Sequence, residues 1–360
     1  MPNIDRRGEI AELLRKRLEE LRERDAGLAR PGWTWQRPSS PPHGEPVDLA
    51  SITRQVLARY KGRSLLEAIG GEEVPLCRNL LVAREEALMQ PLPDREVERE
   101  VEAALWLVPG IRDGVAARLF SQGYTDLRTL SAHPRFGARA RRILRALEKR
   151  DASFLMENIS ERAGRGHPLN LALHALVGPL LFLDIETMGL FGGSPVVVAG
   201  LALMQHDRLL ITQYVAASPE AESGLISMVA RALEQCPGIV TFNGRTFDYP
   251  YLCQRSAYYG RPIVRDPVHI DLLPISRRVF RGQVPDCRLA TLARLVLGEE
   301  RDEDIPGSLV PMFYQEYLED PERKMGLLAA IVEHNRADVV QTARLFGHLA
   351  ASATGRAAQA

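Results

Sequence analysis

Asp184 and Glu186 close the apolar run LLFLDIE, two carboxylates where an ordinary core strand would carry none. Extended chain alternates its side chains, so the two project to one face, spaced to grip a single cation. Further along, TFNGRTFD ends in Asp248 and HNRAD ends in Asp338, each far enough away to belong to a separate element. His334 stands four positions before Asp338, a spacing that on a helix stacks both side chains on one face, about one turn apart.

Hydrolysis of a phosphodiester needs an activated water in line with the leaving oxygen and positive charge beside the oxygens that become negative. Two divalent ions ~4 Å apart supply both. A hard ion such as Mg²⁺ chooses carboxylate oxygens and keeps several waters, so three or four Asp and Glu residues suit it. A neutral imidazole at 334 has the intrinsic pKa to take a proton from the attacking water. Each piece alone has a plainer reading. A DxE pair can be a solvated strand tip, Asp248 a helix cap, His334 and Asp338 a surface pair, and Asn243 with Gly244 a turn. In combination the plainer readings weaken, because two carboxylates ~5 Å apart repel by about 3 kcal/mol at an effective dielectric of ~20. If these groups converge, a cation belongs among them.

The elements that must position them read as alternating strands and helices from about residue 176. LLFLDIE, PVVVAGLALM, LLITQYVA, GIVTFN and VHIDLL are predicted strands. Residues 222–235, a segment starting at Tyr249, LATLARLVLG and MGLLAAIVEHNRADVVQTARLF are predicted helices. Ahead of this, residues 96–152 carry apolar positions at helical spacing, broken at Pro109, Gly110 and Gly123. WLVPGIRDGVAARLF resembles a helix-hairpin-helix module, whose tight turn offers backbone N–H groups to a phosphate. Pro109, Gly110, Ile111 and Ala116 match that pattern, while Arg112 stands where a second glycine is usual. Residues 49–91 show no single period. Residues 8–24 form an amphipathic pattern through Ile10, Leu13, Leu14, Leu18 and Leu21, and Arg30 to Pro46 is a proline-rich linker holding Trp33 and Trp35.

Size and composition allow two or three packing units: 360 residues, 45% hydrophobic. No apolar run reaches the ~18 residues of a membrane span, and the charged first thirty residues lack a signal-peptide core, so a soluble cytoplasmic protein is expected. Cys77, Cys236, Cys253 and Cys287 lack any CxxC spacing and read as reduced thiols. Positive and negative side chains balance at 46 each, so attraction to nucleic acid must come from local patches. Two are visible: Arg135, Arg139, Arg141, Arg142, Arg145, Lys149 and Arg150 in one run, and Arg277, Arg278 and Arg281 in another. Each also fits a merely solvated helix face.

The order FLDIETMGL, TFNGRTFDYPYL, CRLATLARLVLG, HNRAD resembles the DEDD exonuclease group of the ribonuclease H-like superfamily. More closely it is similar to the YprB-type branch, through IDLL, VPDCRLATLARLVLG, the IPG of Ile305 to Gly307, and HNRADVV. The resemblance covers roughly Leu180 to Phe346. It implies a ribonuclease H-like α/β fold with a mixed five-stranded sheet flanked by helices, preceded by a smaller, mainly helical region. It implies two Mg²⁺ or Mn²⁺ ions, removal of nucleotides from a 3′ end, metal ligands at Asp184, Glu186, Asp248 and Asp338, and a general base at His334. The histidine subgroup more often places its base five positions before the aspartate, not four. Asp271, in HIDLL, is expected to support the site by hydrogen-bonding a neighbouring segment.

The expected organisation is thus residues 1–95 with helix, linker and mixed segment, 96–152 as the helix-hairpin-helix-like module, and 176–350 as the nuclease-like domain. One cation is expected to bridge Asp184, Glu186 and Asp338, a second to rest on Asp184 and the phosphate, and Asp248 to act through water. Thr187, Asn243, Gly110 and Arg112 are candidate contacts to nucleic acid, single-stranded or at 3′ ends, DNA before RNA. The competing readings are a nucleic-acid-binding scaffold whose nuclease-like domain does not cut, a structure-specific endonuclease, and a ribonuclease.

Overall fold

The computed structural model describes residues 49–92, 96–189, 193–301 and 304–357. The predicted helix at 8–24 and the proline-rich segment with Trp33 and Trp35 lie outside the described residues. Residues from Ala50 onward pack as one unit.

Its centre is the strand β3, Leu180–Thr187, in which every residue but Asp184 is buried. Such a continuously apolar strand needs cover on both faces. It pairs antiparallel with β4, Val196–Gln205, and parallel with β6, Gly238–Thr241. Outward from these lie β5, Arg208–Ala216, on one side and β7, Val268–Asp271, on the other. These are the five predicted strands.

Among the described residues the sheet has seven strands, not five. Gly71–Glu73 (β1) and Leu80–Leu88 (β2) add to the β5 edge, giving the order β1-β2-β5-β4-β3-β6-β7. β2 pairs with the whole of β5, from Leu80 opposite Ala216 to Leu88 opposite Arg208, and so covers an edge that would otherwise be open to foreign strands. Its sequence, LLVAREEAL, hides the strand because the charged half faces solvent. There Arg84 pairs with Glu72, Glu86 with Arg208 and Glu85 with Arg336.

One face of the sheet carries the helix Pro321–Ala357, which packs on β3, β4 and β5. Its 37 residues run roughly 55 Å at 1.5 Å per residue, long enough to cross several strands. Gly200, opposite Asp184 in the ladder, lets it approach. A Cβ at that position would overlap Asn335 Oδ1 and Val339 Cγ2. The other face is covered by Glu222–Gln235 and Asp248–Tyr258, with a buried ion pair between Glu222 and Arg255.

Residues 97–177 are helical, including Asp113–Ser121, Gly137–Glu148 and Ala152–Ala163. Their apolar faces share a core with the sheet, running from Leu107, Leu130 and Ile143 through Leu171 to Phe182 and Phe346. Pro109 and Gly110 form a tight turn, with the Ile111 N–H bonded to Val108 O and Gly110 at a φ of +92°. Proline followed by a residue at positive φ is the type II signature. Much of the first basic run is engaged with its own fold. Arg139, Arg141 and Arg150 donate to backbone carbonyls, while Arg135 and Arg142 lie over the rings of Phe136 and Phe154.

Cys236 is buried and the other three cysteines half-buried, all as free thiols. Among the described residues no helix is long and apolar enough to cross a membrane.

Candidate active site

The parallel ladder between β3 and β6 ends at Phe182, and from there the edge of β3 is satisfied by a side chain. Asp248, first residue of the helix Asp248–Tyr258, accepts the Ile185 N–H at 3.0 Å. The loop that delivers it leaves β6 through Asn243, at a φ of +68°, a conformation asparagine tolerates better than most residues. Asp271, at the end of β7, fixes that loop by accepting the N–H groups of Asn243 at 2.8 Å and Arg245 at 3.2 Å. It therefore hydrogen-bonds a neighbouring segment, as expected of a supporting carboxylate.

The long helix delivers three positions to this cluster. Asn335 donates to Asp184 Oδ2 at 2.8 Å, and its own Oδ1 accepts from Gln213 Nε2 at 2.8 Å. That relay, fully buried at Asn335, fixes the Asp184 carboxylate from β5 through the helix. One turn of helix carries His334 and Asp338. The His334 Nε2 lies 3.8 Å from Glu186 Oε1 and 3.8 Å from Asp338 Oδ2. Donor atoms of Glu186, His334 and Asp338 lie within 4.8 Å of one another.

Two residues of the loop before the IPG segment complete the arrangement. Asp304 accepts from His334 Nδ1 at 2.7 Å, leaving Nε2 as the ring atom that faces the carboxylates. Arg301 bonds Asp338 Oδ1, Gln341 Oε1 and, at 2.8 Å, Asp304 Oδ2. Gly307 passes so close to the imidazole that a Cβ there would lie 3.2 Å from Nε2. Sequence reasoning passes over Asp304, Arg301, Asn335 and Gln213. Asp304 has one signal, its place directly before Ile305 to Gly307, and Asn335 another, its place inside HNRAD.

The five candidate catalytic positions Asp184, Glu186, Asp248, His334 and Asp338 thus come together from β3 and two helices. Thr187 follows a β-bulge and donates to Gly189 O at 2.7 Å, so its hydroxyl serves the local turn. The Asn243 Oδ1 accepts from Thr246 at 3.0 Å. Gly110 and Arg112 lie in the helical region, outside this cluster, Arg112 immediately before the helix Asp113–Ser121.

Electrostatics marks the cluster as short of positive charge. Burial, then the charges of Asp338, Asp248 and Glu186, hold the Asp184 carboxyl well above the ordinary range. Burial raises Glu186 to about 8, against the pull of His334, and raises Asp248 to about 7, against the Ile185 hydrogen bond. At His334 burial disfavours the charged ring, but the Asp304 hydrogen bond and the charges of Asp338 and Glu186 outweigh it and raise the group to about 9. Burial also works against ionised Asp304, yet His334 and Arg301 outweigh it and hold that carboxyl low.

These shifts fix the sign of a pH dependence. Between the ordinary carboxylate range and about 8, the folded chain keeps protons on Glu186 and Asp248 that the unfolded chain has lost, so metal-free stability falls as pH rises. The His334 contribution, present below its unfolded pKa, is lost in the same direction as pH passes about 9. Melting in EDTA is therefore expected to drop from about pH 5 to about pH 8. Millimolar Mn²⁺ should raise the melting point more at the upper pH, because carboxylate ligands must shed protons to bind it. A metal increment that stays constant across this range would contradict the cation site.

Residues 181–350 match the RNase_H superfamily. The C-terminal half, with its mixed sheet and flanking helices, is thus a ribonuclease H-like domain. The chain is also similar to the "Uncharacterized protein YprB" of Bacillus subtilis (strain 168), at 31% identity over 174 residues. That match takes in 47% of this chain and 41% of the relative, so the chain spans about two fifths of the relative's length. Among solved structures, the family B DNA polymerase of the hyperthermophilic archaeon Pyrobaculum calidifontis is similar over 46% of this chain and 23% of its own, with a TM-score of 0.36 and 19% identity.

Proposed function

We propose that this protein is a metal-dependent nuclease that removes nucleotides from the 3′ end of a nucleic acid strand, DNA before RNA. The observation that carries the reading is the meeting of Asp184, Glu186, Asp248 and Asp338 with His334, where burial and mutual repulsion keep three of the carboxyls raised. Such a donor set fits divalent cations. Glu186 is 9% exposed, and among the described residues its only polar partner is the His334 ring at 3.8 Å. Asp184, Glu186, Asp248 and Asp338 would hold two Mg²⁺ or Mn²⁺ ions, whose chemistry is to acidify a water and offset the charge that develops on the phosphate oxygens.

The protein's own groups then have distinct tasks. The Gln213 and Asn335 amides hold Asp184, and the Ile185 N–H holds Asp248, so the carboxylates need no reorganisation as charge develops. Asp304 keeps the Nδ1 proton in place, so once cation binding offsets the Glu186 and Asp338 charges that raise the ring, Nε2 is the atom that would be left free to accept a proton from the attacking water. Arg301 restrains Asp338 and Asp304 together.

Product sizing tests this reading. With Mn²⁺ and end-labelled single-stranded and duplex DNA and RNA, stepwise shortening from the 3′ end is the expected outcome. Internal products would replace the exonuclease assignment by an endonuclease, and intact substrate under every condition would overturn the catalytic reading.

A further inference from the structure

The second basic patch differs from the first in having little of its own to hold. Arg277, Arg278 and Arg281 line a hollow of about 450 Å³ together with Pro274. Among the described residues the guanidiniums of Arg277 and Arg281 have no hydrogen-bond or ion-pair partner, and Arg278 donates at 2.8 Å to Ala163 O. Among the described residues no carboxylate lines the hollow. Pockets of this volume that take neutral small molecules are mostly apolar, whereas three guanidiniums gathered around one space select an anion.

Position along the fold points the same way. Pro274 also lines a smaller, water-sized hollow, whose wall includes Arg165, Arg245, His269 and Asp271. Pro274 is thus common to the walls of both. Arg245 belongs to the loop that delivers Asp248, and the Asp271 carboxylate is occupied by the N–H groups of Asn243, Arg245 and Leu273. Arginines thus stand from the loop beside the carboxylates, where Arg245 also donates to His269 O at 3.0 Å, to the helix Leu272–Val279 and Arg281. The helix dipole favours cations in a last turn, which accounts for Arg277 and Arg278. It accounts for neither Arg281, beyond the helix end, nor Arg165, on another segment.

We infer that this path, Arg245 and Arg165 leading to Arg278, Arg277 and Arg281, is the track for the phosphates of the nucleic acid strand whose end lies at the carboxylates. The inference rests on the proposed nuclease reading for its substrate class, but its test reads binding and not cleavage. Interactions of this kind carry no base information, so the track holds strands of any sequence.

The experiment uses the full chain in EDTA with a fluorescein-labelled single-stranded oligothymidylate, followed by anisotropy across a salt series. Arg277→Glu with Arg281→Glu is expected to weaken binding at least about tenfold at moderate salt. It should also flatten the slope of log affinity against log salt by about 1.4, roughly 0.7 for each single-strand phosphate that is no longer neutralised. Arg145→Glu with Lys149→Glu, on the first patch, should leave both quantities close to those of the parent. The Arg277/Arg281 variant should melt in EDTA at the parental temperature, as expected of substitutions at exposed side chains. Unchanged affinity and slope in that variant would overturn the track, as would an equal loss in the Arg145/Lys149 variant or no strand binding by the parent protein. Strand binding with the expected salt slope but no cleavage by the parent would leave the track standing and remove the nuclease reading instead.

Discussion

Asp184→Asn is expected to lower phosphodiester turnover by at least about 10³-fold while leaving the protein folded, and in EDTA more resistant to heat than its parent. The two halves of that outcome have the same cause. Asp184 is buried among Asp338, Asp248 and Glu186, which hold its carboxyl well above the usual range, so an ionised group there opposes folding when no cation is bound. A neutral amide removes that opposition and keeps an oxygen for the Asn335 Nδ2, which lies 2.8 Å from Asp184 Oδ2 in the parent. It cannot replace a carboxylate as a ligand, so the Mn²⁺-induced rise in melting point should shrink together with activity. Asp338→Asn makes the contrast, because Asp338 has an ion-pair partner in Arg301. It should lose turnover equally without gaining heat resistance. Turnover within tenfold of the parent in either variant would remove the metal-ligand assignment.

The parts of this arrangement that the sequence discloses are those with strict local geometry. A buried strand needs an unbroken apolar run, so Asp184 and Glu186 stand out within β3. A helix repeats every few residues, so His334 and Asp338 are legible as a pair before their surroundings are known. Legibility fails where tertiary context overrides local signal. In β2 the charged half, Arg84 to Glu86, follows no strand period, because the ion pairs that stabilise it come from Glu72, Arg208 and Arg336, on other segments of the chain. The run from Arg135 to Arg150 looks like an anion-binding face in one dimension. In three, five of its arginines engage carbonyls or rings of their own neighbourhood. The sparser run Arg277 to Arg281, with the weaker sequence signal, is the one left facing an open hollow. Asp304 is hidden for a related reason. It lies in a loop with no period, and only the fold brings it to the back of the His334 ring.

That ring supplies the second large expected effect. Asp304→Ala should lower kcat by at least about 10- to 100-fold with KM nearly unchanged, the range typical of removing an outer-shell partner at a metal site. Asp304 acts through His334, so it is a positioning residue. A purely architectural role would also slow turnover if the loop collapsed, so the decisive readout is the ring itself. In the parent, ¹⁵N spectra of the neutral imidazole should show the proton on Nδ1, where Asp304 accepts it at 2.7 Å. In the alanine variant both tautomers should be populated. The ring should also titrate below the parental value of about 9, since the Asp304 hydrogen bond is the largest influence raising it. Asp304→Asn retains an oxygen that can accept from Nδ1 but not the negative charge. It should therefore restore the Nδ1 tautomer and part of kcat while leaving the titration low. An alanine variant with parental tautomer and titration, whatever its turnover, would show that Asp304 serves only the loop and Arg301, and that His334 is oriented by the carboxylates in front of it.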